Sequence, residues 1–140
     1  MSQGGETFFT VVGCMDGRCQ EVVSKFGHEL FGGKYPDTIT GPGIVGTLFE
    51  NPTPKFLEDL KNKLLISIEK HHSQGIIVDG HAECAGDPVD DTTHKEHVKK
   101  AVAIINDLIN NEVPVAGVFV KRNSQNEWEI EEVVKPTVKA

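Results

Sequence analysis

This chain has no long apolar run: nothing in its 140 residues approaches the roughly 20 that a membrane-spanning helix needs. The opening Met1-Ser2-Gln3-Gly4-Gly5-Glu6 lacks a basic cluster followed by an apolar stretch. No secretion signal is therefore expected, and a cytoplasmic location is. Positive charge is scarce: 14 Lys and Arg stand against 21 Asp and Glu, a formal net charge of −7. That argues against general nucleic-acid or membrane-surface binding, which needs clustered Lys and Arg to meet phosphates. The two short basic pairs, Lys99-Lys100 and Lys121-Arg122, are expected on solvated surface. Cysteines number only three, an odd count. A disulfide framework is not expected, and reduced thiols stay available as metal ligands. Internal repeats and low-complexity segments are also missing, which excludes a repeat array.

What is present suits one domain spanning residues 1–140. Apolar residues make up 38% and charged residues 25%, enough to bury a core. Phe8 to Gly13 and Ile76-Ile77-Val78 are short, β-branched apolar runs closed by glycine, and read as buried strands. Between them, Val22, Val23, Phe26 and Leu30 fall at helical spacing over Arg18 to Leu30; Gly27 weakens that helix and Gly32-Gly33 ends it. Asp37 to Thr40 reads as a short strand. Gly41-Pro42-Gly43 is either a simple turn or a small anion nest of backbone N–H groups. Pro52 and Pro54 introduce a helix from about Lys55 to His72, with Phe56, Leu57, Leu60, Leu64 and Ile68 on its apolar face. Thr92 or Thr93 is expected to cap the next helix, which buries Val98, Ala101, Val102, Ile105, Leu108 and Ile109. Val115 to Val120 and Glu127 to Val134 read as strands joined by a turn at Asn123 to Asn126. The order β-α-β-α-β-α-β-β, with long helical crossovers, predicts a three-layer open α/β sheet. Its strands are mostly parallel and flanked by helices, with an antiparallel edge strand.

Two motifs sit at strand ends. Cys14-Met15-Asp16-Gly17-Arg18 follows the first strand, and His81-Ala82-Glu83-Cys84 follows the third. Ligand sites in open α/β sheets lie beyond the carboxyl ends of strands where the strand order reverses, so neighbouring strands would bring Cys14, His81 and Cys84 into one crevice. Two thiolates and an imidazole suit zinc, and a tetrahedral Cys₂His set keeps a fourth position for water. Asp16 can accept a proton there or take the fourth position itself. A bidentate pair with Arg18 would hold it off the metal.

Cys14-x-Asp16-x-Arg18 followed by Gly80-His81-x-x-Cys84 resembles the signature of the β-class carbonic anhydrases, with a compatible element order from about Thr7 to Val134. The resemblance marks a short, divergent member: Thr40-Gly41-Pro42-Gly43 stands where the family often has Arg-Asn-Ala-Gly, and Ala85 replaces a common glycine. It implies a parallel-centred α/β fold, Zn²⁺ held by Cys14, His81 and Cys84, and an Asp16–Arg18 dyad as the catalytic pair. It further implies reversible hydration of carbon dioxide to bicarbonate by a metal-bound hydroxide, carbon dioxide and bicarbonate as small-molecule partners, and a homodimer or higher homo-oligomer. Ile44 and Val45 are expected on the apolar wall of the pocket. A related substrate, carbonyl sulfide or carbon disulfide, is the first alternative.

Other readings compete. Cys14 and Cys84 can be small buried hydrophobes, and Asp16–Arg18 an ordinary ion pair. The zinc can be structural, or belong to a non-catalytic binding module. Cys19 is expected packed rather than ligating. His94 and His97, three apart on a helix, are expected in solvent rather than in a second metal site or proton relay. His28 and His71-His72 are expected at the surface or capping helices.

Overall fold

The computed structural model describes residues 5–136; the first six-residue segment and the domain ends at 1 and 140 fall partly outside them. Five strands form one sheet in the order β2-β1-β3-β4-β5. They are β1 (Phe8–Gly13), β2 (Tyr35–Thr40), β3 (Ile76–His81), β4 (Val115–Arg122) and β5 (Trp128–Val134). The first four run parallel, and β5 pairs antiparallel with β4. This is the expected mostly parallel α/β sheet with an antiparallel edge.

The helices are α1 (Gly17–Phe31), α2 (Ile44–Phe49), α3 (Pro54–Glu69) and α4 (Asp91–Leu108). Alternation along the strands sends side chains to two faces. Phe9, Val11 and Ile77 pack with Cys19 and Val23 of α1. Val12, Ile76 and Val78 pack with Leu48 of α2, Leu64 of α3 and Val98 of α4. Those two apolar clusters, one on each face, make three layers.

Several local details differ from expectation, each for a tertiary reason. Gly27 lies inside α1 because the Phe9 ring fills the space a side chain would need. The cap of α4 is Asp90 rather than Thr92 or Thr93; its carboxylate accepts from the Thr93 N–H at 2.7 Å. The α3 helix ends at Glu69, short of His72, which has a positive φ of 56°. Helix α2 was not expected; its six residues are too few to show a period, and it begins where Gly43 takes a left-handed conformation.

The topology fixes the site. Strand β1 connects to β2 on one side, and the chain then returns to β3 on the other, so the order reverses at β1. Pairing between β1 and β3 stops at Val12↔Val78. Beyond that point the two strands are no longer paired, which is where an open α/β sheet places its ligand site.

Candidate metal centre

Cys14 lies two residues past the last β1–β3 pair, and His81 three residues past it, at the end of β3. Both therefore lie just beyond the paired part of the two strands, at the same end of the sheet. Cys84 returns to the same place because the loop after His81 turns sharply, with Glu83 at a positive φ of 62°. The ligand atoms of Cys14, His81 and Cys84 all lie within 4.8 Å of one another, and the two sulfurs are 3.8 Å apart. All three residues are buried. Among the described residues no other such group occurs.

The imidazole carries the most direct sign of what fits here. His81 Nδ1 donates to the Ala82 carbonyl at 2.8 Å. That bond places the proton on Nδ1 and leaves a lone pair on Nε2. Nε2 is buried and has no hydrogen-bond partner. A buried acceptor without a partner is costly, and here it faces two thiols. A thiophilic divalent cation satisfies all three at once.

The surrounding backbone supports negative charge on the sulfurs. Gly43 donates its N–H to Cys14 Sγ at 3.4 Å. The Gly41-Pro42-Gly43 loop thus presents an N–H to a sulfur of the chain itself. Burial and the neighbouring Cys14 push the Cys84 thiol up, while the N–H groups of Asp87 and Gly86 pull it down. Metal binding must then displace the proton of the Cys84 thiol. Behind Cys14, the buried Asp79 carboxylate accepts the Cys14 N–H at 3.4 Å, and burial raises it to about 7.

Asp16 and Arg18 stand at the rim. Asp16 caps α1, its Oδ1 accepting the Arg18 N–H at 2.9 Å. The Arg18 side chain turns back onto the same carboxylate: Nε donates to Oδ1 at 3.1 Å and Nη2 to Oδ2 at 2.8 Å. This bidentate pairing lowers Asp16 to about 2, so the carboxylate is charged at neutral pH. Asp16 Oδ2 sits 3.9 Å from His81 Nε2, close enough to reach a shared ion yet turned toward the guanidinium. Gln20 steadies the loop, donating from Nε2 to the carbonyls of Cys14 (3.0 Å) and Asp16 (2.8 Å).

A family model described as "Putative carbonic anhydrase" matches residues 4–134, nearly the whole chain. The chain belongs to this β-carbonic-anhydrase-like family. Solved structures agree on the fold. A β-carbonic anhydrase of Sordaria macrospora, from a pair described as tetrameric, superposes with a TM-score of 0.62 at 14% identity, covering 96% of this chain and 85% of that one. The carbonic anhydrase of Streptococcus mutans gives 0.58 at 19% identity, covering 91% and 82%. A β-carbonic anhydrase of Trichomonas vaginalis gives 0.57 at 16%, covering 93% and 83%. No curated protein matches the chain in sequence at a significant level.

For this family member, the structure corrects two expectations. His94 and His97 are not in solvent: both are 2% exposed. Helix α4 presses that face against β3, β4 and α2, and the loop before it supplies a buried partner, Asp87, whose Oδ2 accepts from His97 Nδ1 at 2.6 Å. Ile44 and Val45 are buried in the core cluster with Leu60 and Leu64, because they open the unexpected helix α2. Cys19 is packed at 1% exposure, its thiol pushed up by burial. His28 is exposed in the last turn of α1, as expected for a surface residue, with Nδ1 donating to the Gly33 carbonyl at 2.6 Å just past the Gly32 cap. Arg122, expected on the surface, lies there about one-third exposed, paired with Glu83 and stacked on Trp128. The motif reading missed Gln20 and Asp87, which carried no signal; Gly43 lies in the Gly41-Pro42-Gly43 loop read as a turn or an anion nest, and its N–H meets a sulfur of the chain instead of a bound anion.

Proposed function

We propose that the chain catalyses the reversible hydration of carbon dioxide to bicarbonate, with Zn²⁺ held by Cys14, His81 and Cys84. The observation that carries this reading is the buried, partnerless His81 Nε2 facing two thiols, with a charged carboxylate pinned beside it. A zinc ion in such a three-ligand site supplies Lewis acidity that brings the pKa of a coordinated water from 15.7 to about 7.

The residues divide the remaining work. The two thiolates balance the dication, and the Gly43, Gly86 and Asp87 N–H groups disperse their charge. Asp16 accepts a hydrogen bond from the attacking water through Oδ2, so that a lone pair is left aimed at the carbon. It cannot act as the proton store at neutral pH, because Arg18 holds it well below the usual carboxylate range. Arg18 therefore keeps Asp16 charged and turned to its own edge. Without it, Asp16 is a competent fourth ligand.

Homo-oligomerisation, as a dimer or higher, belongs to the same reading, with β2 as an outer strand whose Tyr35 is exposed. No helix among the described residues is long and apolar enough to cross a membrane; a cytoplasmic location follows from the need to keep three cysteines reduced.

Stopped-flow hydration of carbon dioxide by zinc-loaded protein tests the reading, run beside Asp16→Asn. Proton release above the uncatalysed rate, reduced at least tenfold in Asp16→Asn, is expected. Background rates in the loaded wild type at both neutral and alkaline pH would overturn it and leave a non-catalytic zinc module.

A further inference from the structure

Arg18 is gripped from outside the dyad as well as within it. Its Nε and Nη2 edge faces Asp16, which leaves Nη1 free, and Nη1 donates to Glu83 Oε1 at 3.2 Å. Nη2 also donates to the Glu83 carbonyl at 3.3 Å. Arg122, at the end of β4, holds the same Glu83 carboxylate from the far side, with Nε donating to Oε2 at 2.9 Å and Nη2 to Oε1 at 3.4 Å. Its Nη1 donates to Asn126 Oδ1 at 3.2 Å in the β4–β5 turn. Trp128, the first residue of β5, lays its ring against both guanidinium groups, 5.0 Å from Arg18 Cζ and 4.4 Å from Arg122 Cζ. Glu83 itself sits in the left-handed region, a conformation disfavoured for any residue with a side chain, and it lies between His81 and Cys84 in sequence.

We propose that Glu83, Arg122 and Trp128 are positioning residues that lock the Arg18 guanidinium and thereby hold the Asp16 carboxylate off the metal ion. The proposal rests on the metal-site reading above.

The physical case is one of orientation. Arg18 and Asp16 are two residues apart on a helix start, and Arg18 is substantially exposed. Held by Asp16 alone, the pair can swing as a unit. A single exposed ion pair is weak and floppy. A planar cation fixed by one carboxylate on its inner edge, a second at its outer corner and an aromatic face below has little freedom left. Glu83 does not compete with Asp16 for protons, because the two carboxylates take different corners. With Asp16 Oδ2 already 3.9 Å from His81 Nε2, a small rotation separates an open coordination position from a closed one. Loss of the outer grip lets Asp16 close it. The antiparallel β4–β5 hairpin, an edge element in the fold, becomes the frame that sets the catalytic dyad.

Cobalt(II) in place of zinc makes the test spectroscopic. Wild-type protein is expected to bind one cobalt with thiolate-to-metal absorption, and thiocyanate is expected to shift its visible bands. Glu83→Ala and Trp128→Ala should bind cobalt with the same thiolate absorption yet need about three- to tenfold more thiocyanate, and Trp128→Phe should restore the wild-type response. Charge alone acts in the opposite direction: removing the negative Glu83 near the metal strengthens anion binding. Weaker thiocyanate binding in Glu83→Ala therefore reports position. The half-exposed Glu83 variant carries the test if Trp128→Ala does not fold. Normal cobalt binding with unchanged or tighter thiocyanate in the variants overturns the proposal alone. So does a loss of cobalt affinity with thiocyanate unaffected, the mark of a merely structural loop. No thiolate-to-cobalt absorption in the wild type overturns the metal site and the proposal together.

Discussion

The backbone N–H of Gly43 points at the sulfur of Cys14, 3.4 Å away. Two constraints make glycine necessary there. Its φ is +57°, and a Cβ would overlap the Gly86 backbone, which belongs to the loop feeding Cys84. The contact thus ties the supports of both sulfurs together. Gly43→Ala is expected to weaken zinc binding about 10- to 100-fold, the usual range for lost support around a metal ligand. It should also cost about 1–3 kcal/mol of stability through backbone strain. Chelator competition and denaturant unfolding read the two effects separately.

Asp87 and His97 form a buried polar contact under α4, at 2.6 Å, with the Phe49 ring stacked on the imidazole at 4.3 Å. His97→Ala removes the hydrogen-bond donor of the Asp87 carboxylate, leaving His94 Nε2 at 3.6 Å as its other imidazole neighbour, and opens a cavity beside Phe49. A loss of about 3 kcal/mol is expected, because a buried polar group left without its partner adds its desolvation penalty to the lost packing. Urea unfolding of the zinc-loaded protein measures it. A change under 1 kcal/mol would show that the loop before α4 relaxes to let water reach Asp87.

Glu131 bridges two cations from different elements, Lys95 on α4 at 2.9 Å and Lys121 on β4 at 3.0 Å. Those hydrogen bonds lower its pKa, Lys95 first and Lys121 second. The sign follows directly. A carboxylate whose folded-state pKa is depressed contributes stability above its unfolded value of about 4.3, and loses it as pH falls through the folded value. With all three side chains about one-third exposed, solvent screening limits the contribution to about 0.5–1 kcal/mol. Glu131→Gln should therefore destabilise the protein by that amount at pH 7, and the difference should shrink in molar salt and vanish near pH 3. Paired unfolding curves across pH check it.

Much of this molecule is written locally. The FFTVVG and IIVDG runs predict β1 and β3 because a buried parallel strand needs a continuous apolar stretch, and Cys14 and His81 gain meaning from where those runs stop. The Cys-x-Asp-x-Arg and His-x-x-Cys spacings bring out the centre because both motifs leave neighbouring strands at the same end. What stays hidden depends on partners far along the chain. His94 and His97 look like a polar helix face until Asp87 and the edge of α2 cover them. Glu83 and Trp128 are 65 and 110 residues beyond Arg18 by their numbering, and only the turn of β4 into β5 brings the ring under the guanidinium. Helix α2 is invisible for a simpler reason: six residues do not complete two helical turns.

The three-ligand centre underlies the proposed chemistry, and X-ray absorption at the zinc edge of protein purified without chelator tests it most directly. One zinc per chain is expected, with two sulfurs at about 2.3 Å, one imidazole nitrogen at about 2.0 Å and one further light-atom ligand. Cys14→Ser should lose one sulfur from that shell. A chain free of zinc, or a zinc shell of three or more sulfurs or none, would contradict the account.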